Sequence, residues 1–378
     1  MTTSTAPVCW DVGVGAFVVC GFAEAAAVLR GQGWSSDLRL SPLISEELKD
    51  IPLGNMLLTD PPEHTRLRRL VSPPFTPKAI EALRPRVAAI AEALLDGLEG
   101  IGPEIDVLAD IGYPVTLAVI TELLDVGVEG AEVFAEHTPA LARGFEFDAG
   151  LNDLMAAVDA STELSLFLTP ILAERRRSPG TDFISALLAL TEDGEPALHL
   201  GEVMATCTLL LVAGHETTAN LIGNSTLVLL RDPAPRSLLT VSPERTVDEL
   251  LRCHGPIKLT SRTATADHVL GGQHISAGQA VLVDIQAANR DPLRFPDPLR
   301  VDLTRDTGHL AFGAGPHFCL GAALARLEAA EVLTRLFMRV PQLNLVGNAI
   351  QWRESKALHA LSGLPVRIEE GAPVTTLR

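Results

Sequence analysis

Cys319 closes a glycine-rich segment, Phe312-Gly313-Ala314-Gly315-Pro316-His317-Phe318-Cys319-Leu320-Gly321, just ahead of a helical pattern. From Leu320 the apolar residues recur at Leu320, Ala323, Leu324 and Leu327, the spacing of one buried helix face. A thiol in that position meets unsatisfied backbone N–H groups and the positive end of a helix dipole, and both favour thiolate. Gly313, Gly315 and Gly321 lack a Cβ, so the backbone can bend sharply and lie close to a flat ligand. A thiolate in a backbone collar is how a protein offers sulfur to haem iron. A lone cysteine is more often a small buried residue, so the neighbouring residues decide the matter.

A second group lies in the apolar run from Gly201 to Leu230, where Ala213-Gly214-His215-Glu216-Thr217-Thr218 interrupts the hydrophobic sequence. A buried acid and hydroxyls are costly there unless paired or functional. At about 100° per residue, Ala213, Gly214 and Thr217 share a face while His215 points nearly opposite. Small residues one turn earlier leave room beside Thr217. Glu249-Leu250-Leu251-Arg252 places an acid and an arginine one turn apart on a further helix, by itself a common surface pattern. His64 and Arg68 are four apart, so they project from one helix face like two fingers.

The segment Phe312 to Gly321 resembles the cysteine-loop signature of the cytochrome P-450 monooxygenases. The likeness covers nearly the whole chain, with five motifs in the expected order. It implies haem b (iron protoporphyrin IX) with Cys319 as the axial iron ligand. Phe312, Gly313, Gly321, Ala213 and Gly214 would line the cofactor, and His64, Arg68, Arg262 and His309 match positions that bind its propionates. Thr217 would hydrogen-bond dioxygen and Glu216 would feed protons through water. Glu249 and Arg252 would form a buried, structural ion pair, and Ala288 to Pro298 would position the loop leading to Cys319. Two departures stand out: a short N-terminus without the usual first helix, and an abbreviated stretch from Arg231 to Glu244.

Those residues need elements to hold them. Val8 to Cys20 reads as one or two short strands and Ala23 to Leu29 as a short helix. Asp60-Pro61-Pro62-Glu63 marks a helix start, with proline in the first turn and an acid on the dipole. Helical patterns follow at Ile80–Leu98, Leu154–Arg177, Phe183–Leu190, Gly201–Leu230 and Thr246–His254. Val269-Leu270, a Gly271-Gly272 turn and His274-Ile275 read as a hairpin. Val281, Val283 and Ile285 alternate as a strand, and Leu364 to Ile368 could pair as another. The fold class is mainly α with a small β-rich portion. By resemblance, haem sits between the long central helix and the cysteine-loop helix.

Hydrophobic residues make up 47% of the 378 and charged residues 20%, which excludes a disordered chain. No linker, low-complexity tract or repeat marks a boundary, so residues 1–378 read as a single domain. A net charge of -17 argues against nucleic acid, whose phosphates need a basic surface. Cys9, Cys20, Cys207, Cys253 and Cys319 are odd in number and scattered, which disfavours disulfides and zinc and fits a reducing compartment. Met1 to Thr5 shows no basic leader, and the apolar run near Met204–Ala213 falls short of the roughly 20 residues that span a bilayer. The expectation is a soluble, cytoplasmic protein without a membrane partner.

The resemblance therefore implies a haem-thiolate monooxygenase that oxidises, most simply hydroxylates, a small or carrier-bound organic substrate such as a bacterial secondary-metabolite intermediate. No flavin or iron–sulfur motif is present, so electrons would come from a ferredoxin and ferredoxin reductase, docking near Cys319 through Arg66, Arg69 and Arg326. Two other readings stay open: oxidative coupling, epoxidation or cyclisation on the same centre, and a non-catalytic haem- or ligand-binding protein. Pocket walls would come from Ser41–Leu58, Ala140–Leu154, Leu210–Gly214, Pro256–Ser261 and His359–Ser362. Lys258 there could meet an acidic substrate or turn elsewhere.

Overall fold

The computed structural model describes residues 6–44, 55–98, 102–192, 194–305, 308–347 and 350–368. Its helices are α1 (Phe22–Arg30), α2 (Glu63–Val71), α3 (Pro77–Glu81), α4 (Arg84–Gly97), α5 (Tyr113–Leu124), α6 (Gly127–Gly144), α7 (Leu151–Arg177), α8 (Phe183–Leu188), α9 (Leu200–Arg231), α10 (Arg236–Leu239), α11 (Pro243–His254), α12 (Ile285–Ala288) and α13 (Ala322–Arg339). α9 runs 32 residues without a proline and is buried on nearly every face, as its apolar sequence requires. It packs against α5, α11 and α13. The approach of α9 to the π-helical turn before α5 is close because Gly223 has no side chain: a Cβ there would lie 2.6 Å from Leu108 Cδ2.

The strands are β1 (Val8–Asp11), β2 (Ala16–Val19), β3 (Trp34–Ser35), β4 (Glu104–Asp106), β5 (Thr191–Glu192), β6 (Glu195–Pro196), β7 (Leu259–Ala264), β8 (His268–Leu270), β9 (Gln273–Ile275), β10 (Ala280–Asp284), β11 (Leu343–Leu345) and β12 (Pro365–Ile368). One sheet has the order β1-β2-β10-β7-β3, with β10 parallel to β2 and the other pairs antiparallel. A second has the order β11-β12-β4. The β8–β9 hairpin turns through Gly271 and Gly272, both at positive φ, as the two-glycine turn predicts.

Three expectations change. The pattern from Ile80 to Leu98 is two helices, because the chain breaks at Ala82-Leu83 and restarts with Pro85 in the first turn of α4. Ile285 opens α12 rather than ending a strand: the Asp284 carboxylate accepts the Ala287 N–H at 2.7 Å and caps a helical turn. The helices α5 and α6 are absent from the sequence reading. Two windows, Val107–Leu124 and Leu151–Arg177, are long and apolar enough to cross a membrane by length and composition, with mean hydropathies of 1.6 and 1.2. The first is mostly buried in the core, and the second presents an apolar face outward.

Candidate cofactor site

The cysteine loop owes its shape to two glycines. Gly313 and Gly315 both sit at φ +71°, a region that L side chains resist, and a Cβ on Gly315 would lie 2.4 Å from the Leu29 carbonyl oxygen. Gly321 is different: its φ is −83° and a Cβ would meet nothing within 4 Å, so open space rather than backbone strain explains that glycine. The loop is closed by the Gly313 N–H on the Leu310 carbonyl at 2.8 Å and the Cys319 N–H on the Phe312 carbonyl at 2.9 Å.

The Cys319 thiol is accessible, yet the protein around it strips it of water, so it faces an enclosed space. Burial raises its pKa above the ordinary value, opposed by the Gly321 N–H and then by the Arg68 and Arg326 guanidiniums. The loop N–H favours the thiolate as the sequence implies, and desolvation works against it. A bound metal cation would make the thiolate, because a coordinating thiol is deprotonated outright.

Beside the thiol lies a cluster of basic side chains. His64 is buried on α2, its Nδ1 has no partner, and its ring centre is 4.1 Å from that of His317. Burial lowers the His64 pKa, with help from Arg68. It also pushes Arg262, on β7, down to about 10. His317 falls to about 3 through burial and then through Arg262, His64 and Arg68. Asp60 is the acid that opposes some of these shifts, but its carboxylate is engaged by the Ser35 hydroxyl and the Ser36 N–H. Among the described residues no ion pair joins Arg68 or Arg262 to a carboxylate.

Four desolvated bases with Asp60 as the one acid acting on them suit a ligand that carries two carboxylates, as haem does. His309 stands apart from them. Its Nε2 lies 3.3 Å from Asp248 Oδ1, and its Nδ1 accepts the Ala311 N–H at 3.1 Å. His317, two residues before the cysteine, stands in the cluster, and the sequence reading did not single it out.

On α9, Ala213, Gly214 and Thr217 are accessible while Val212, His215, Glu216 and Thr218 are buried, so the face inferred from helical spacing is the open one. The Thr217 hydroxyl donates to the Ala213 carbonyl at 2.6 Å. His215 lies on the other side, with Nδ1 2.8 Å from Thr116 Oγ1, and burial pushes its pKa to about 4. The buried Glu216 carboxylate accepts from Asn220 Nδ2 at 3.0 Å, from the Tyr113 hydroxyl at 3.3 Å and from the Arg353 guanidinium. Burial and then Glu216 push Tyr113 up to about 12. Tyr113, Asn220 and Arg353 were not singled out in the sequence. Asn220, one turn after Glu216, could have been.

Behind the loop, the side chains of Glu249 and Arg252 are both 0% exposed and make a bidentate pair at 2.8 Å. Arg252 also donates to the Asn289 carbonyl at 2.8 Å, and Asn289 Oδ1 accepts the Leu310 N–H at 2.7 Å. The pair thus reaches the cysteine loop through the turn-rich segment. Phe312 carries the Arg326 guanidinium 4.5 Å from its ring centre.

Other expected roles change. Arg66 pairs with Glu63 and Glu202, Arg69 with Glu192 and Arg326 with Asp248, so none is a free cation for a docking partner. Lys258 Nζ donates to the Ser355 carbonyl. Of the expected pocket wall from Ser41 to Leu58, residues 45–54 lie outside the described residues.

Fold and site together define a class: a mainly helical protein that encloses a thiol, a dicarboxylate-seeking basic cluster and a small-residue face on its central helix. Comparison with known proteins places it, and the chain belongs to the cytochrome P-450 family. The family profile, cytochrome P-450, matches residues 244–340. Cytochrome P-450 107B1 of Saccharopolyspora erythraea is 42% identical over 320 residues, covering 83% of this chain and 77% of that protein. The 6-deoxyerythronolide B hydroxylase of the same organism is 37% identical over 381 residues, covering 95% and 91%. The crystal structure of P450BioI in complex with an acyl carrier protein ligated to hexadec-9Z-enoic acid superposes with a TM-score of 0.88 at 33% identity, covering 96% and 95%. Membership brings a haem cofactor, an oxygen-inserting oxidoreductase activity and dependence on a redox partner.

Proposed function

We propose that this protein is a haem b monooxygenase that hydroxylates a secondary-metabolite intermediate, free or tethered to a carrier, with electrons from a ferredoxin and its reductase. The observation that carries the reading is the basic cluster, offset only in part by Asp60, beside the desolvated Cys319 thiol. When bound, haem activates dioxygen and delivers one of its oxygen atoms to an organic substrate.

The chain's own residues bind, orient and supply protons. Cys319 would hold the iron through its sulfur, with the Gly321 N–H, Arg68 and Arg326 favouring its charged form. His64, Arg68, Arg262 and His317 would hold the two carboxylates, and the space at Gly321 and along Ala213 and Gly214 would admit the flat ring. Thr217 offers a hydroxyl on the accessible face of α9. Glu216 keeps a proton-exchanging carboxylate one residue away, positioned by Tyr113, Asn220 and Arg353. The apolar core around α9 excludes water.

The substrate class rests on relatives named 6-deoxyerythronolide B hydroxylase and biotin biosynthesis cytochrome P-450, and on the carrier-bound acyl chain of P450BioI. The test begins with the reduced, carbon monoxide-bound absorption spectrum of purified holoprotein. Thiolate ligation that disappears in Cys319→Ser supports the reading. Retained ligation in that variant overturns it. Candidate free and carrier-bound substrates are then compared by spin-state shift and by product formation with ferredoxin and reductase.

A further inference from the structure

α7 is 27 residues long, yet only the face of Ala160, Leu164, Leu168 and Leu172 is buried. At about 100° per residue, Leu151, Met155, Val158, Thr162 and Leu166 fall together on the opposite side. Leu151, Met155, Val158 and Leu166 are 69%, 57%, 52% and 64% exposed, and Phe145 and Phe147 in the preceding loop are also exposed. A contiguous apolar stripe of this kind marks an interaction surface rather than scattered surface residues.

We infer that the stripe is the interface of a two-fold homodimer in which α7 of one protomer lies antiparallel on α7 of its partner, crossing near Thr162. The ends of the helix differ in charge. Asp148 and Asp153 at its start share one arginine, Arg143, and leave a net negative charge. Arg176 and Arg177 at its end have no carboxylate partner among the described residues. Antiparallel pairing brings each basic end to the other's acidic end, twice over by symmetry.

A lipid surface fits less well. Asp159 and Glu163, both exposed, lie to one side of the stripe, and the chain carries a net charge of -17, which anionic headgroups repel.

Sedimentation velocity on the haem-loaded protein, from about 1 to 100 µM, tests the inference. The wild type dimerises in that range. Leu166→Glu and Met155→Glu, both surface changes, weaken the dimer at least about tenfold and leave the carbon monoxide spectrum unchanged. Thr162→Cys gives a disulfide-linked dimer on mild oxidation, whereas the wild type does not. A wild type that stays monomeric overturns the inference. So does a dimer that survives both glutamate variants, or a monomer that uses the stripe to bind phosphatidylcholine vesicles.

Discussion

Glu216, buried within the central helix, is held by the guanidinium of Arg353, which comes from 137 residues further along the chain. The carboxylate side chain is 8% exposed and the arginine 39%, so the pair joins an interior acid to solvent. Arg353 is fixed in turn by its own N–H on the Ala360 carbonyl at 2.8 Å. Position and access of the acid thus depend on a segment remote from α9 in sequence.

Arg353→Met removes the positive partner and the solvent-exposed end of that link. Turnover should fall about tenfold, less than the roughly 10²–10⁴-fold that a general acid–base group itself contributes because Glu216 remains, with substrate affinity unchanged. A larger solvent deuterium isotope effect and more peroxide per electron consumed should accompany the loss, and Arg353→Lys should restore much of it. An isotope effect that does not move would leave Arg353 a purely structural residue.

The glycines of the cysteine loop separate backbone need from cofactor need. Gly315→Ala puts a Cβ against the Leu29 carbonyl at positive φ, so both apoprotein stability and haem uptake should fall. Gly321→Ala meets open space at an ordinary φ, so thermal melting of the apoprotein should hold while haem uptake drops. Arg262→Leu should speed haem transfer to an acceptor protein roughly tenfold, the effect of losing one charge-assisted contact. Equal haem uptake by wild type and Gly321→Ala would place the ring elsewhere.

What the sequence made legible was local. Cys319 with its glycines, the face shared by Ala213 and Thr217, and the Glu249–Arg252 pair all rest on spacings within one helical turn or one loop. The ion pair also showed why its pattern mattered only after folding, since burial of both side chains comes from the packing of α11. Tyr113 and Arg353 reach Glu216 across 103 and 137 residues, and no periodicity encodes such contacts. The thiol's raised pKa was missed for the same reason: the helix end is a local feature, whereas desolvation is set by the whole fold.

Glu249→Gln leaves Arg252 charged and buried without its counter-ion. Removing one partner of such a pair should cost about 3–5 kcal/mol. Thermal unfolding of the haem-loaded enzyme reads it as a lowered midpoint, and Glu249→Leu combined with Arg252→Met should recover part of the loss. A Glu249→Gln midpoint equal to the wild type would remove the pair from the structural core.

Acid should destabilise the protein through His215. Burial holds its folded pKa near 4, against 6.5 ordinarily, so the unfolded chain takes up a proton that the folded chain refuses. Stability is therefore full above pH 6.5 and declines as the pH falls toward 4, by roughly 3 kcal/mol at most for this one group. His215→Gln should flatten the fall in melting temperature across that window. An unchanged slope would assign the acid sensitivity to other residues.

The loop between α6 and α7 is tied down by one carboxylate. Glu146 accepts the N–H groups of Lys356 and Ala357, both at 3.1 Å, and the Ser355 hydroxyl, on a segment next to the expected pocket wall. Hydrogen bonds to a charged group contribute about 1.5–3 kcal/mol each when buried, and less at a partly exposed site such as this. Glu146→Ala should therefore raise the association and dissociation rates of a spin-shifting ligand together, about tenfold by stopped-flow absorbance, with little change in Kd. If instead the affinity changes while the association rate stays put, Glu146 belongs to the binding pocket and does not control passage into it.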